Sequence, residues 1–194
     1  MKIIFLLPPS EKNSNFSEEK TSFKFLKPTD IANNATEKDL KCKVRYEEMN
    51  LNKNIALPFE YGINRYTGVM YNAIDYPNMR DNGKQFFENN FMVISGMYGV
   101  VKPLDIIGNY KLPIDSKLYK FWGEQITEAI NSTKPDYIVN LLSGSYLKTI
   151  KKNKLEQLIN VNFLTEKNGK IVKISHGVKK IKGNWIKNIC ENQI

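Results

Sequence analysis

Histidine is almost missing from this chain of 194 residues, where His176 stands alone. A zinc site of the common His/Cys types needs more ligands of that kind than one histidine and two distant cysteines supply. No cluster of acidic residues stands out, so no metal set is assigned and no cofactor is expected. A Ser-His-Asp relay through His176 stays formally open, but no G-x-S-x-G elbow accompanies it. Cysteine is scarce too. Cys42 and Cys190 form no CxxC unit and no disulfide framework. Long apolar runs are absent, and none approaches the roughly eighteen residues needed to span a bilayer. A membrane partner is therefore not expected. The first residues, MKIIFLLPPSEK, superficially resemble a signal peptide. Their apolar run is only about five residues against the usual 7–15, and no small-residue cleavage site follows. They read as the first strand of a cytoplasmic protein.

What is present is a core and a charge. Hydrophobic residues make up 41% and aromatics 11%, enough for one large domain or two small ones. Net charge is +9, from 29 Lys and Arg against 20 Asp and Glu. Such a balance favours polyanionic partners. An AT-rich genome gives the same bias toward Asn, Lys and Ile, so the distribution says more than the total. From Lys167 to Lys187 there are seven lysines and no acidic residue. Lys173, Lys179, Lys180 and Lys187 are the candidate nucleic-acid contacts, against the alternative of a solvated face.

Four short apolar runs each end in a serine. Lys2–Leu7 leads into Pro8-Pro9-Ser10-Glu11-Lys12, and Phe91–Ile94 into Ser95-Gly96-Met97-Tyr98-Gly99. Tyr137–Leu142 leads into Ser143-Gly144-Ser145-Tyr146, and Ile171–Ile174 into Ser175-His176-Gly177. Short Ile/Val/Phe-rich runs stopped by Gly or Pro read as buried strands. In an open α/β sheet, ligands sit beyond the carboxyl ends of the strands. If the four are parallel, one edge gathers an anion-binding cleft of Ser10, Lys12, Ser95, Tyr98, Ser143, Tyr146 and Lys182. Lys12 and Lys182 would clamp the anion, and Tyr98 or Ser143 would hydrogen-bond it or transfer a proton. The competing readings are that Ser and Gly simply favour turns, and that Tyr66, Tyr98 and Tyr146 are core aromatics with one polar end.

Between these runs the polar stretch 11–30 reads as an exposed loop. Residues 31–54 carry a weak helical pattern through Leu40, Val44 and Leu51, and 82–90 a short polar helix. Asp115 or Ser116 can cap a helix over SKLYKFWGEQITEAIN. Its inner face runs through Leu118, Phe121, Trp122, Gln125, Ile126 and Ala129, with Gln125 the polar exception. A weaker helix is expected around Tyr146–Ile159. Val178, Ile181, Trp185 and Ile189 then form an amphipathic stripe, with Lys180 and Lys187 opposite it in solvent. Lys182 lies about 40° from Val178, beside the stripe, where a lysine snorkels outward or is held for a partner such as Asp105. Gly183 costs helix propensity and permits close approach of a backbone or a ligand.

The run Ser95-Gly96-Met97-Tyr98-Gly99-Val100-Val101-Lys102-Pro103-Leu104-Asp105 resembles the hallmark of the bacterial YaaA family of peroxide-stress-resistance proteins. Other blocks agree in order. Pro8-Pro9-Ser10-Glu11-Lys12 is similar to an N-terminal motif, and Arg65-Tyr66-Thr67-Gly68-Val69-Met70-Tyr71 to the family's Y-x-G segment. Tyr110-Lys111-Leu112 resembles its Y-R-L element, and Leu118-Tyr119-Lys120-Phe121-Trp122-Gly123 its L-Y-x-F-W-G helix. Asn140-Leu141-Leu142-Ser143-Gly144-Ser145-Tyr146 matches its strand-and-loop block, and Lys179-Lys180-Ile181-Lys182-Gly183 its K-x-A-R-G segment.

The resemblance implies a single α/β domain over 1–194, of the cantaloupe type, with a mixed or mostly parallel sheet flanked by helices. It implies DNA binding, especially to non-duplex or distorted forms, and a role in limiting intracellular iron under peroxide stress. The chain departs from the pattern in three places. Lys182 stands where arginine is usual, which removes bidentate anion binding. The region 29–57 is short and poor in glycine, where a helix-hairpin-helix DNA-binding element is expected. The chain also stops soon after its last helix. The leading expectation is a cytoplasmic DNA-binding stress protein. The alternative is an enzyme acting on a nucleotide-like or other anionic small molecule. A partner-binding module built on the aromatic stretch 59–76 is the third.

Overall fold

The computed structural model describes residues 1–10, 12–13, 35–53, 60–155, 157–174 and 176–193. Nearly all of the stretch expected as an exposed loop, part of the 29–57 region and Ser175 lie outside the described residues. In chain order the strands are β1 (Ile3–Leu7), β2 (Lys12–Asn13), β3 (Glu60–Tyr61), β4 (Tyr66–Thr67), β5 (Phe91–Ser95), β6 (Gly99–Val101), β7 (Ile106–Ile107), β8 (Tyr137–Asn140), β9 (Leu158–Asn160), β10 (Leu164–Lys167) and β11 (Lys170–Lys173). The helices are α1 (Glu37–Lys41), α2 (Lys43–Lys53), α3 (Gly62–Arg65), α4 (Val69–Ile74), α5 (Asp81–Asn90), α6 (Ser116–Trp122), α7 (Gln125–Asn131), α8 (Gly144–Leu147) and α9 (Val178–Asn192).

The centre is a five-stranded sheet in the order β6-β5-β1-β8-β9. β1 pairs in parallel with β5 on one side and β8 on the other, and β9 extends the parallel set. Strands covered on both faces read as unbroken apolar runs rather than alternating ones. β1 and β5 show this directly: Ile4, Leu6, Leu7 and Ile94 are each at most 1% exposed. β6 turns back antiparallel to β5 across Gly99, whose φ of +76° suits glycine and whose face lies against the Trp122 ring. The protein is thus a mixed α/β domain with a mostly parallel sheet, as the apolar runs indicate.

Three of the four serine-ended runs are parallel neighbours. The fourth is not. Lys170–Lys173 pairs antiparallel with Leu164–Lys167 in a separate hairpin, and all eight residues are exposed. The cause is the Asn168-Gly169 turn, with both residues at positive φ (52° and 72°). Asn-Gly is a strong hairpin signal and closes Lys167 against Lys170.

The helix expected over 116–131 is broken in two. Asp115 caps α6, accepting from the Lys117 and Leu118 amides at 2.9 and 3.2 Å. Gly123, at φ +54°, ends it, and α7 starts afresh with Gln125 exposed. Among its described residues, Tyr146–Ile159 holds no long helix either; α8 is four residues and the segment closes in β9. In α9 the buried face is Gly183, Ile186 and Cys190, while Ile181 is 40% exposed. Trp185 and Ile189 still pack partly buried against the core, and the most buried face is shifted toward Gly183, where the helix meets α4. A Cβ on Gly183 would overlap the Met70 carbonyl oxygen and come within 2.6 Å of the Ala73 Cβ. Among the described residues no helix is long and apolar enough to cross a membrane.

Candidate functional site

Because β1, β5 and β8 run parallel, their carboxyl ends and following loops share one edge of the sheet. At the end of β5, Ser95 is wholly buried. Its Oγ donates to the Tyr110 hydroxyl at 2.7 Å and accepts the Met97 and Tyr98 amides at 3.1 Å each. The serine therefore shapes the turn to β6 and anchors a phenol at the same time. Tyr110 Oη lies 2.8 Å from Tyr66 Oη. Tyr98, half-buried, accepts the Gly108 amide on its hydroxyl at 3.2 Å. Beyond β1, the Tyr71 hydroxyl donates to the Pro8 carbonyl at 2.8 Å, and Ser10 Oγ donates to the Thr67 carbonyl. These bonds tie α4 and β4 to the loop after β1.

Burial, first of all, pushes the phenols of Tyr66, Tyr71, Tyr98 and Tyr110 up. Charged phenolate is costly without water around it. These hydroxyls therefore stay protonated and serve as neutral hydrogen-bonding groups, not as bases. Tyr146 lies close enough to Tyr71 and Tyr110 to raise both further. Beyond β8, the Lys182 ammonium donates to the Leu141 carbonyl. Burial lowers the Lys182 pKa. Asp105 is not its partner and accepts the Lys102 amide at 2.8 Å.

Of the expected cleft, Ser95 and Tyr98 share a direct hydrogen bond, with Tyr146 nearby. Ser10 and Lys12 meet β4, the latter through the backbone pairing Lys12↔Thr67. Lys182 is fixed at the end of β8, and Ser143 is exposed at the start of α8. Of the expected nucleic-acid lysines, Lys173, Lys179 and Lys180 are exposed. Lys187, expected in solvent, is ion-paired to Asp75 at 2.7 Å.

Two buried arginines escaped the reading of the sequence. Arg65 is 0% exposed, its pKa lowered by burial and held up by nearby Glu60. Arg45 contacts Asp39, donates to the Met97 carbonyl at 3.1 Å, and sits 4.7 Å from the Phe121 ring centre. The available signal for Arg65 was its place in the Arg65-Tyr66 block; nothing in hydropathy marks a buried charge.

A cavity of about 510 Å³ lies against the tyrosine network. Tyr66, Tyr71 and Tyr76 contribute to its walls, and Glu60, Asn64 and Asp75 supply polar groups. Ser95, Tyr98, Ser143 and Lys182 are not in its walls. A more open groove of about 500 Å³ adjoins it, lined by Lys180, Asn184 and Lys187 of α9 and by Asn72 and Asp75. Asn72 and Asp75 belong to both.

Comparison with known proteins bears on the same blocks. A UPF0246 protein of Rickettsia bellii is 36% identical over 140 residues, covering 66% of this chain and 56% of the relative. A UPF0246 protein of Marinomonas sp. is 35% identical over 139 residues, covering 66% of this chain and 54% of its own. The chain thus spans little more than half the length of these curated relatives. A family model described as peroxide stress protein YaaA matches residues 1–194. With the whole chain matched and the Ser95–Asp105 hallmark seated at the carboxyl edge of the sheet, the protein belongs to the YaaA family of peroxide stress proteins.

Proposed function

We propose that the protein is a cytoplasmic, DNA-associated stress protein that limits intracellular iron and oxidative DNA damage under peroxide stress. One observation carries the DNA half. Lys167, Lys170, Lys173, Lys179 and Lys180 are all exposed, on the β10–β11 hairpin and the first turn of α9. A lysine surface neutralises phosphates and releases their counterions, so it binds polyanions without reading sequence. The iron half rests on family membership. Ferrous iron and peroxide generate hydroxyl radicals that break DNA, so the two halves are chemically compatible.

The test is fluorescence anisotropy with labelled single-stranded and duplex oligonucleotides across a salt series. Five phosphate contacts imply a loss of about 10²–10³-fold in affinity between roughly 50 and 200 mM salt. Charge reversal at Lys173 and Lys180 is expected to weaken binding to all sequences alike. Salt-independent affinity, or no binding at low salt, overturns the reading.

A second reading is an enzyme acting on a nucleotide-like or other anionic small molecule in the Ser/Lys/Tyr cleft. Lys182 supports it, as a half-buried ammonium held at a strand end where α/β proteins place ligands. Lys182→Met is expected to keep the fold and abolish anion binding there.

A further inference from the structure

The cavity and the groove differ in chemistry and share a boundary. The cavity pairs aromatic walls with the Glu60 carboxylate. Glu60 is 7% exposed, and its Oε1 accepts the Tyr61 amide at 2.7 Å and the Asn64 side-chain amide at 3.1 Å. The Glu60 carboxylate accepts N–H groups, with the buried Arg65 charge near it as compensation. The lysines line the groove and not the cavity, so an anionic part of a ligand is drawn toward the groove. There Lys180, Asn184 and Lys187 lie at i, i+4 and i+7 on one face of α9. The close crossing at Gly183 brings that helix against α4, which carries Asn72 and ends at Asp75. Asp75 already takes Lys187 and the Asn78 amide, both at hydrogen-bond distance. The charge of Lys187 is largely cancelled within the pair, so exposed Lys180 supplies the net positive charge of the groove.

From cavity to groove, the order is aromatic wall with acceptors, then carboxylate and amide, then lysines. We propose that this is a nucleotide site. A nucleobase occupies the cavity, with its N–H groups toward Glu60. The sugar hydroxyls meet Asn72 and Asp75, and the phosphate lies at Lys180. The volume of about 510 Å³ is within the range of small-molecule sites, about 300–1,000 Å³. The occupant is either a free nucleotide or one unpaired residue of a nucleic-acid strand. The strand form rests on the polyanion reading above; the free form does not.

The experiment is calorimetric titration of the full chain with AMP, GMP, CMP and UMP, with the matching nucleosides and with inorganic phosphate. At least one monophosphate is expected to bind about tenfold or more tightly than both its nucleoside and phosphate. Lys180→Ala, an exposed change that leaves the fold intact, is expected to erase the nucleotide-over-nucleoside advantage. Glu60→Gln is expected to weaken nucleoside and nucleotide alike. The site is overturned if no monophosphate outbinds inorganic phosphate, or if Lys180→Ala leaves the advantage in place. An oligonucleotide and its fully abasic counterpart distinguish the sources. A base-dependent gain that Glu60→Gln removes assigns the site to an unpaired residue in a strand, and equal binding of the two assigns it to the free nucleotide. Salt-sensitive oligonucleotide binding without any mononucleotide binding overturns the site and leaves the polyanion reading standing. Mononucleotide binding without oligonucleotide binding does the reverse.

Discussion

Arg45 shows how much one side chain holds. It is 6% exposed, and burial lowers its pKa while Asp39 opposes the shift. Asp39 in turn closes the capping box of α1, accepting the Thr36 amide at 2.9 Å and the Thr36 hydroxyl at 2.7 Å. The guanidinium joins that box to the Met97 carbonyl beyond β5 and to the aromatic face of α6. Removing one member of a buried pair leaves the other charge without compensation. Arg45→Met is therefore expected to cost about 3–5 kcal/mol, read by urea denaturation. Arg45→Met with Asp39→Leu is expected to recover part of that loss. A single variant within about 0.5 kcal/mol of the parent contradicts the assignment. Of the weak helical pattern over 31–54, Val44 packs partly buried against the core and Leu40 is 54% exposed, while Asp39, Cys42, Arg45 and Met49 are buried. Hydropathy scores each residue alone, and a paired charge is only cheap to bury in company.

At the scale of elements, α9 against α4 is decisive. Glycine inside a helix ordinarily costs about 1 kcal/mol relative to alanine, so Gly183→Ala on an isolated helix is stabilising. Here the added methyl overlaps the backbone of α4. Overpacking of this kind costs about 1–3 kcal/mol, and a net loss of stability is expected on chemical denaturation. A gain would show that the helices do not cross at this glycine. The role of Gly183 as a point of close approach was legible in its position within an amphipathic run. The shift of the most buried face to Ile186 and Cys190 was not, because it depends on where the neighbouring helix lies. The break at Gly123 belongs to the same class. The apolar spacing on either side continues smoothly through it, and only packing of Trp122 on Gly99 and Gly96 shows why the chain turns there. The Trp122 indole donates to the Gly96 carbonyl at 2.9 Å.

For the molecule as a whole, the buried backbone pairing lies at the centre of the sheet. β1, β5 and β8 share backbone bonds on buried ground, whereas β10 and β11 form a two-stranded ribbon with both faces wet. A lone two-stranded hairpin is marginal in water. Native-state hydrogen exchange is expected to be slowest at amides of Ile4–Leu7 and Met92–Ile94 and fast along Lys170–Lys173. Comparable protection in the ribbon would show that something covers it. The sequence alone pointed to an α/β class, through short apolar runs that read as buried strands and through the family resemblance that implies a mostly parallel sheet. It determined the family as well, through ordered blocks of which Ser95–Asp105 is the most specific. It also showed the basic segment 167–187, since charge counts need no coordinates. Tertiary structure decided the rest. Which serines share an edge depends on strand pairing, so the fourth run left the sheet for an Asn-Gly hairpin. Which lysines are open depends on partners distant in the sequence, as Lys187 with Asp75 and Lys182 with the Leu141 carbonyl show. The cavity beside the buried tyrosines is lined by one stretch, Glu60–Pro77, whose density of aromatics was plain in the sequence; that these residues enclose a space was not, because it depends on how the short elements between Glu60 and Pro77 fold back on one another.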